Sequence, residues 1–474
     1  MIRSNERVFK ALARDGIAAR KDGPVFRIRN VDSPHAPEAE VLLPEGFALE
    51  SKAASQLASF AAVRHPSGGE VKAAFATPDF HPGAIVPVGA VVATSADMVI
   101  PQAIGTDIQC GMRLHVCDIT VEQFLQRKEE FVALAKGDLL LGTRDVPMQV
   151  SSMRALFDGG CVSWLDEVQT QPLGRLQMSS MRQLAMELDR VYGMGSYDGS
   201  SKWAPSSMLP TSRDIVRDPS LATIGGGNHF VEVQVVESVL DRSQAFAWGV
   251  KEGQLAFMIH SGSRLAGVAI GNAWIERAKR EWPEGLAHPE SGIYPLYGDL
   301  VDEYLEAMNS ASNYASVNRL LLAELVRLRL REVFGADVEA PLLFDVPHNI
   351  VLKERGLLVH RKGATPAHCG QPVLVPGSMG HSSFLMVGQG NERFLHSASH
   401  GAGRLKTRYE MRHKKRANDD LGLTGVECIT LKEERLVQEA PAAYKPIQPV
   451  VDIQADVGIA SIVARMRPLL TFKA

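Results

Sequence analysis

The sequence predicts an α+β fold: one large mixed domain with a central β-rich core around a dinuclear metal site. Three observations point there. Segments rich in Val, Ile, Ala and Gly, broken by glycine and proline, are grouped apart from long helical periodicities, with no regular strand–helix alternation. Side chains with metal-ligand or nucleophile chemistry are spread from Asp107 to His400, so they must converge in one folded unit. No internal repeat, low-complexity tract or linker divides them.

The elements follow in chain order. A basic start with a helix near Glu6–Arg14 leads to a Pro- and acid-rich stretch ending at Pro44-Glu45-Gly46. Residues 71–117 suit short buried strands joined by tight turns, with the Asp107–Cys110 turn between two of them. Residues 121–220 are expected to be mostly helical, with a polar, mobile loop near Gly193–Ser206. Strands are expected at His229–Val236 and Leu255–His260. Residues 299–334 carry strong helical periodicity, with Leu320, Leu321, Leu325, Leu328 and Leu330 on the buried side. Strand-and-turn character resumes through Leu342–His400, and a last helix is expected from about Asp452 to Met466.

Composition bounds the function. The 474 residues are ample for a large core, and 45% hydrophobic with 22% charged residues is ordinary for a globular chain. A formal net charge of -3 argues against nucleic-acid binding by bulk positive charge, so any such surface is local. Five cysteines without paired spacing fit a reducing compartment. The start, MIRSNERVFKALARDG, has no apolar stretch of the secretory kind, and the apolar run Ala84–Ala93 is broken by Pro87 and Gly89. No membrane partner is expected, and the cytoplasm is the expected location.

Chemistry concentrates in short motifs. Ser397-Ala398-Ser399-His400-Gly401-Ala402-Gly403-Arg404 sets a histidine beside two glycines and an arginine. Glycines let an anionic ligand approach backbone N–H groups, the guanidinium can pair with phosphate, and the imidazole can attack phosphorus. By itself the stretch is equally a glycine-rich turn beside an ordinary histidine. Three further clusters offer metal donors: Asp107 and Cys110 in GTDIQCG, His229 in GGGNHFVE, and His260 in IHSGSR; His348 follows in PHN. One carboxylate, one thiol and three imidazoles overfill a tetrahedral site, and two metals sharing the thiolate would use them all. None has a Cys-x-x-Cys or His-Glu-x-x-His spacing, and each histidine alone could be a satisfied core residue. Softness of thiolate and imidazole favours zinc.

These motifs, with PGSMG and in this order, resemble the RtcB-type RNA-splicing ligases from about Asp79 to Lys473. The resemblance implies a divergent N-terminal extension over residues 1–45 and an RtcB-like ligase domain over 46–474. It implies GTP and two Mn(II) ions as cofactors. It implies RNA as substrate, with a 3′-phosphate or 2′,3′-cyclic phosphate end joined to a 5′-hydroxyl end through a GMP–histidine intermediate, in RNA repair or tRNA splicing. An archease-type protein is a possible activator. His400 would be the nucleophile and Asp79 the carboxylate that orients it. Asp107, Cys110 and His229 would hold one metal, and Cys110, His260 and His348 the other. Asn228, Glu232, Asn349, Pro376, Gly377, Ser378, Met379, Ser383, Gly401, Ala402, Gly403, Tyr444 and Lys473 would contact the guanine nucleotide.

RNA phosphates would fall to Arg264, Arg404 and Arg408, the last two opening the basic run Arg404, Lys406, Arg408, Arg412, Lys414, Lys415, Arg416. The chain lacks a Gly-x-x-x-x-Gly-Lys-Ser/Thr loop and a Lys-x-Asp-Gly motif, so a covalent nucleotide carrier would have to be something else, and the resemblance points to His400. It departs from the family at Gln109, at Val346-Pro347 and in its N-terminal region. Two other readings remain at this stage: a metal-dependent cyclic phosphodiesterase that does not ligate, and a catalytically silent RNA-binding protein.

Overall fold

Two mixed sheets meet along the segment that carries His348. The computed structural model describes residues 2–212, 214–413, 422–423 and 425–474. The first sheet runs, in spatial order, Ile17–Asp22, Val25–Asn30, Ala39–Leu42, Gly68–His81, Val88–Ser95, Leu357–Lys362 and Asn349–Glu354. All these neighbours are antiparallel except Ala39–Leu42 with Gly68–His81. The hairpins of the N-terminal 45 residues therefore extend the same sheet that carries Asp79. The second sheet runs Leu342–Pro347, Gly111–Thr120, Gln254–Ser261, Phe230–Val239, Ala460–Lys473, Ser383–Gly388 and Pro372–Val375, with Glu427–Thr430 parallel to Ala460–Lys473. The chain passes from the second sheet to the first between Pro347 and Asn349, and His348 is the residue at the crossing.

Each sheet buries one face against a helix. Leu57 and Phe60 of the helix Ser51–Ala61 pack with Phe26, Ile28 and Phe80 on the first sheet. The 36-residue helix Asp299–Phe334 lies against the second, where Leu322, Ala323 and Val326 meet Val231, Phe257 and Ile259. At 1.5 Å rise per residue it spans roughly 54 Å. Its middle is covered all round: Leu320, Leu321, Leu325, Leu328 and Leu330 are buried, and so are Asn313, Asn318 and Arg319. A helix buried on every side can carry polar residues only where each finds a partner.

Two expectations are corrected. The stretch Asp452–Met466 is not one helix: the helix is Ile447–Asp456, and Ala460–Lys473 is a 14-residue strand. Gly458, at φ +70°, ends the helix, and the strand is paired on both edges by Phe230–Val239 and Ser383–Gly388. Pairing on two sides outweighs local helical preference. The polar loop near Gly193–Ser206 is not free. Asn313 accepts from Tyr197 N–H at 2.8 Å and donates to its carbonyl at 2.9 Å, while Ser310 accepts from Ser200 N–H at 2.8 Å. Lys414, Lys415 and Arg416 lie outside the described residues.

Candidate active site and metal centre

Sheet register assembles the site. Gly111 pairs with Ser261 and with Pro347, Phe230 with His260, and Val231 with Phe472. The ends of five strands therefore share one rim, which carries Cys110, His229, His260, His348 and Lys473. Five polar groups far apart in the chain become neighbours because strand pairing fixes their stagger.

The donors are crowded. Cys110 Sγ is 3.2 Å from His229 Nε2 and 3.1 Å from His260 Nε2, His260 Nε2 is 3.2 Å from His348 Nε2, and His229 Nε2 is 3.0 Å from Asp107 Oδ2. They form two triads, Asp107–Cys110–His229 and Cys110–His260–His348, which share the sulfur. His229 donates its Nδ1–H to the Ile224 carbonyl at 3.1 Å, which frees Nε2 to ligate. Burial pushes the Cys110 thiol well up, with the Asp107 charge adding to it, and holds His260 and His348 well down. So many lone pairs at hydrogen-bond distance with so few protons fit cations, which would reverse the thiol's preference and draw the donors together. Asp107 feels burial too, but the His229 charge and hydrogen bond and the Lys362 charge outweigh it and hold its carboxyl down. No room is spare: a Cβ on Gly262 would lie 2.3 Å from Asp107 Oδ1.

Arg319 braces this rim from the long helix. It is fully buried, donates to the carbonyls of Gln109 at 2.8 Å and Ser261 at 3.1 Å, and is paired with Asp345 at 2.8 Å. Gln109, at φ +51°, uses its longer side chain to accept from Ser316 and Arg319. The departure noted at this position is thus taken up by packing.

His400 stands across the cleft. Its ring lies 4.7 Å from that of His348, centroid to centroid. Nδ1 is 2.6 Å from Oδ2 of Asp79, and the same oxygen accepts the His400 backbone N–H at 3.3 Å. Thr77 donates to Oδ1 of Asp79 at 2.5 Å. Burial pushes the Asp79 carboxyl up, but the His400 hydrogen bond and charge, then Thr77, outweigh it and hold the group below its usual range. Gly403, at φ +75°, lets the chain pass over Asp79: a Cβ there would meet the Asp79 carbonyl oxygen at 2.2 Å.

A cleft of about 560 Å³ joins these parts. Asp107, Cys110, His260, His348 and His400 line it, with Asn228, Glu232, Asn349, Pro376, Gly377, Ser378, Met379, Gly401, Ala402, Gly403, Arg404, Arg408, Tyr444 and Lys473. Asp79, His229, Ser383 and Arg264 are not part of the lining. The far wall holds a chain of hydrogen bonds: Thr471 and Gln234 donate to Glu232, at 2.6 and 2.7 Å, and Gln234 donates to Ser383, which accepts from Gly377 N–H. Burial raises Glu232 to about 7 and lowers Lys473 to about 8. Asn349 is held by its own wall, donating to the Asp107 carbonyl at 3.1 Å and accepting from Gly363 at 2.8 Å.

The arginines divide. Arg404 spends its fork on the protein, on Glu439 at 2.9 Å, Tyr444 Oη at 3.1 Å and the carbonyls of Gln438 and Lys406. Among the described residues Arg408 gives only its Nε, to Glu439 at 2.8 Å, and its Nη2 would stand 3.0 Å from a Cβ on Gly227. Arg264, at φ +52°, would stand 2.1 Å from a Cβ on Gly225, and Arg435 3.3 Å from one on Gly226. Three guanidiniums thus surround the triple glycine before His229. Sequence reasoning missed Arg435, Glu439 and Lys362. Glu439 is a fully buried carboxylate that gathers Arg404, Arg408 and Tyr444, and no local pattern marks it.

The profile of the family described as "tRNA-splicing ligase RtcB" matches residues 56–474. The chain belongs to the RtcB family. It is 32% identical to the tRNA-splicing ligase RtcB of Pyrobaculum aerophilum over 433 residues, covering 83% of this chain and 86% of that protein. The tRNA-splicing ligase RtcB of Archaeoglobus fulgidus is 32% identical over 460 residues, 89% of this chain and 91% of that one. The RNA-splicing ligase RtcB of Mycobacterium tuberculosis is 32% identical over 438 residues, 85% and 96%. The RtcB match takes in every candidate site residue and begins after the N-terminal hairpins. Among the described residues no helix is long and apolar enough to cross a membrane.

Proposed function

We propose that this chain is an RNA ligase of tRNA splicing or RNA repair, joining a 3′-phosphate or 2′,3′-cyclic phosphate end to a 5′-hydroxyl end with GTP as co-substrate. The observation that carries this reading is the pairing of His400 Nδ1 with buried Asp79, beside two metal-donor triads that share one sulfur. With Nδ1–H committed to the carboxylate, the lone pair is on Nε2. Nε2 attacks the α-phosphorus of GTP, the bond to the bridging oxygen breaks, and pyrophosphate leaves with the electron pair. The imidazolium charge that develops is stabilised by Asp79. An oxygen of the RNA 3′-phosphate then displaces the histidine, and the P–N electrons return to Nε2. The 3′-phosphate now has GMP as leaving group in place of oxide. Attack by the 5′-hydroxyl expels GMP, and the hydroxyl proton passes to solvent. A cyclic phosphate is first opened by water.

Asp107, Cys110 and His229 would hold one Mn(II), and Cys110, His260 and His348 the second. When bound there, the ions supply neutralisation of charge on phosphate oxygens. Glu232, Ser383, Tyr444 and Lys473 would hold the guanine nucleotide, and Arg264 and Arg408 RNA phosphates. Cytoplasmic location and an archease-type activator belong to the same reading.

The test is incubation with α-phosphate-labelled GTP and Mn(II), then denaturing electrophoresis. Label is expected on the protein, stable to base and lost in acid as a phosphoramidate is, and absent in His400→Ala. RNA ends are expected to be sealed only with GTP and Mn(II) together, and ATP to substitute poorly. Opening of cyclic ends without any sealing would replace this reading with a phosphodiesterase.

A further inference from the structure

We infer that Lys445, with Glu50 of the N-terminal region as its counter-charge, is a positioning residue that locks the two loops carrying His400 and Asp79. The inference rests on the reading of His400 as nucleophile. Lys445 is 5% exposed. Its ammonium donates to the carbonyl of Phe80, the residue after Asp79, and its backbone N–H donates to the Gly403 carbonyl at 3.0 Å. Gly403 lies in turn against the Asp79 carbonyl. One residue thus clamps the loop of the nucleophile to the loop of its carboxylate.

The charge is what calls for a function. A buried ammonium loses far more hydration than one neutral carbonyl and the face of the Phe47 ring, 5.7 Å away, return. Among the described residues no carboxylate stands within 4 Å of it; Glu50 and Asp79 act on it from further away. Glu50 lines the cleft, and its Oε1 is buried with no hydrogen-bond partner among the described residues. Burial pushes Glu50 up and Lys445 down, each toward its neutral form, and their mutual attraction opposes both shifts. An apolar side chain would fill this space at less cost in desolvation. Holding a peptide carbonyl in register is what the ammonium adds. Glu50 lies just before the residues that the family profile matches.

The experiment measures guanylylation of the full chain with labelled GTP in wild type, Lys445→Met, Lys445→Arg and Glu50→Gln. In Lys445→Met the rate at saturating GTP is expected to fall about tenfold or more, as displacement of reacting groups does. Its KM for GTP is expected to stay within about twofold, since the nucleotide wall is untouched. Lys445→Arg, which keeps charge and donors, is expected to recover most of the rate, and Glu50→Gln to lose part of it. Wild-type rates in both Lys445→Met and Glu50→Gln would overturn the inference. So would rate, KM and melting temperature falling together without rescue by arginine, which marks a structural role alone. If Lys445→Met does not fold, Lys445→Arg and Glu50→Gln decide by the same split. Failure of the wild type to take label would instead overturn the nucleophile itself.

Discussion

Asp79 and His400 are 321 positions apart in sequence and 2.6 Å apart in space, Oδ2 to Nδ1. The carboxylate is wholly buried and makes that contact at the back of the ring, away from the cleft. Such a partner fixes the tautomer and the ring plane together. Asp79→Asn should therefore cut guanylylation about 100-fold or more, in the range of a lost acid–base partner, without changing metal content. Protein-bound label from GTP measures it, and a loss of less than about threefold would show that the pair does not serve the nucleophile.

Cys110 is the one donor common to both triads. Metal analysis of the purified chain should give two ions per molecule. Asp107→Ala and His348→Ala should each retain one, on opposite sides of the sulfur, and Cys110→Ser should lose both along with labelling. A wild type that saturates with a single ion would refute the shared-thiolate arrangement.

If Glu232 and Lys473 hold the guanine nucleotide as proposed, they set a pH window for GTP binding. Burial raises Glu232 to about 7, so its carboxylate, the form that accepts two N–H donors from a guanine edge, fills as pH rises through that value. Burial lowers Lys473 to about 8, so its charge is lost as pH rises further. GTP affinity of the His400→Ala chain, measured at equilibrium, should climb between about pH 6 and 7 and fall above about pH 8. Glu232→Gln should flatten the acid limb and Lys473→Met the alkaline one. Limbs that persist in both variants would assign the titration elsewhere.

Glu439 gathers two guanidiniums and a phenol with no exposure of its own. Glu439→Gln leaves Arg404 and Tyr444 short of an acceptor and should destabilise the chain by about 2–4 kcal/mol, at the lower end because Arg408 is partly solvated. Denaturant unfolding gives the number. It should also loosen nucleotide binding, through Tyr444. Unchanged stability would mean that solvent or Lys473 replaces the pairing at no cost.

The sequence by itself singled out the candidate metal donors and the candidate nucleophile. Asp107, Cys110, His229, His260, His348 and His400 stand in short motifs that are weak singly, and the signal comes from finding all of them, in this order, in one chain. The long helix Asp299–Phe334 was legible because a 3.6-residue period is a local property. Only the tertiary structure decided what holds those groups. Ala460–Met466 was expected to finish a helix and belongs instead to the strand Ala460–Lys473, because two other strands pair with it, one on each side. Arg404 was expected to face phosphate and is spent on Glu439, Gln438 and Tyr444. Arg319, Lys362, Arg435, Glu439 and Lys445 have no motif, because what each contributes is a contact with a segment remote in the chain. Ligand chemistry is written in residue type, but burial and pairing are sums over neighbours that only the folded chain brings together.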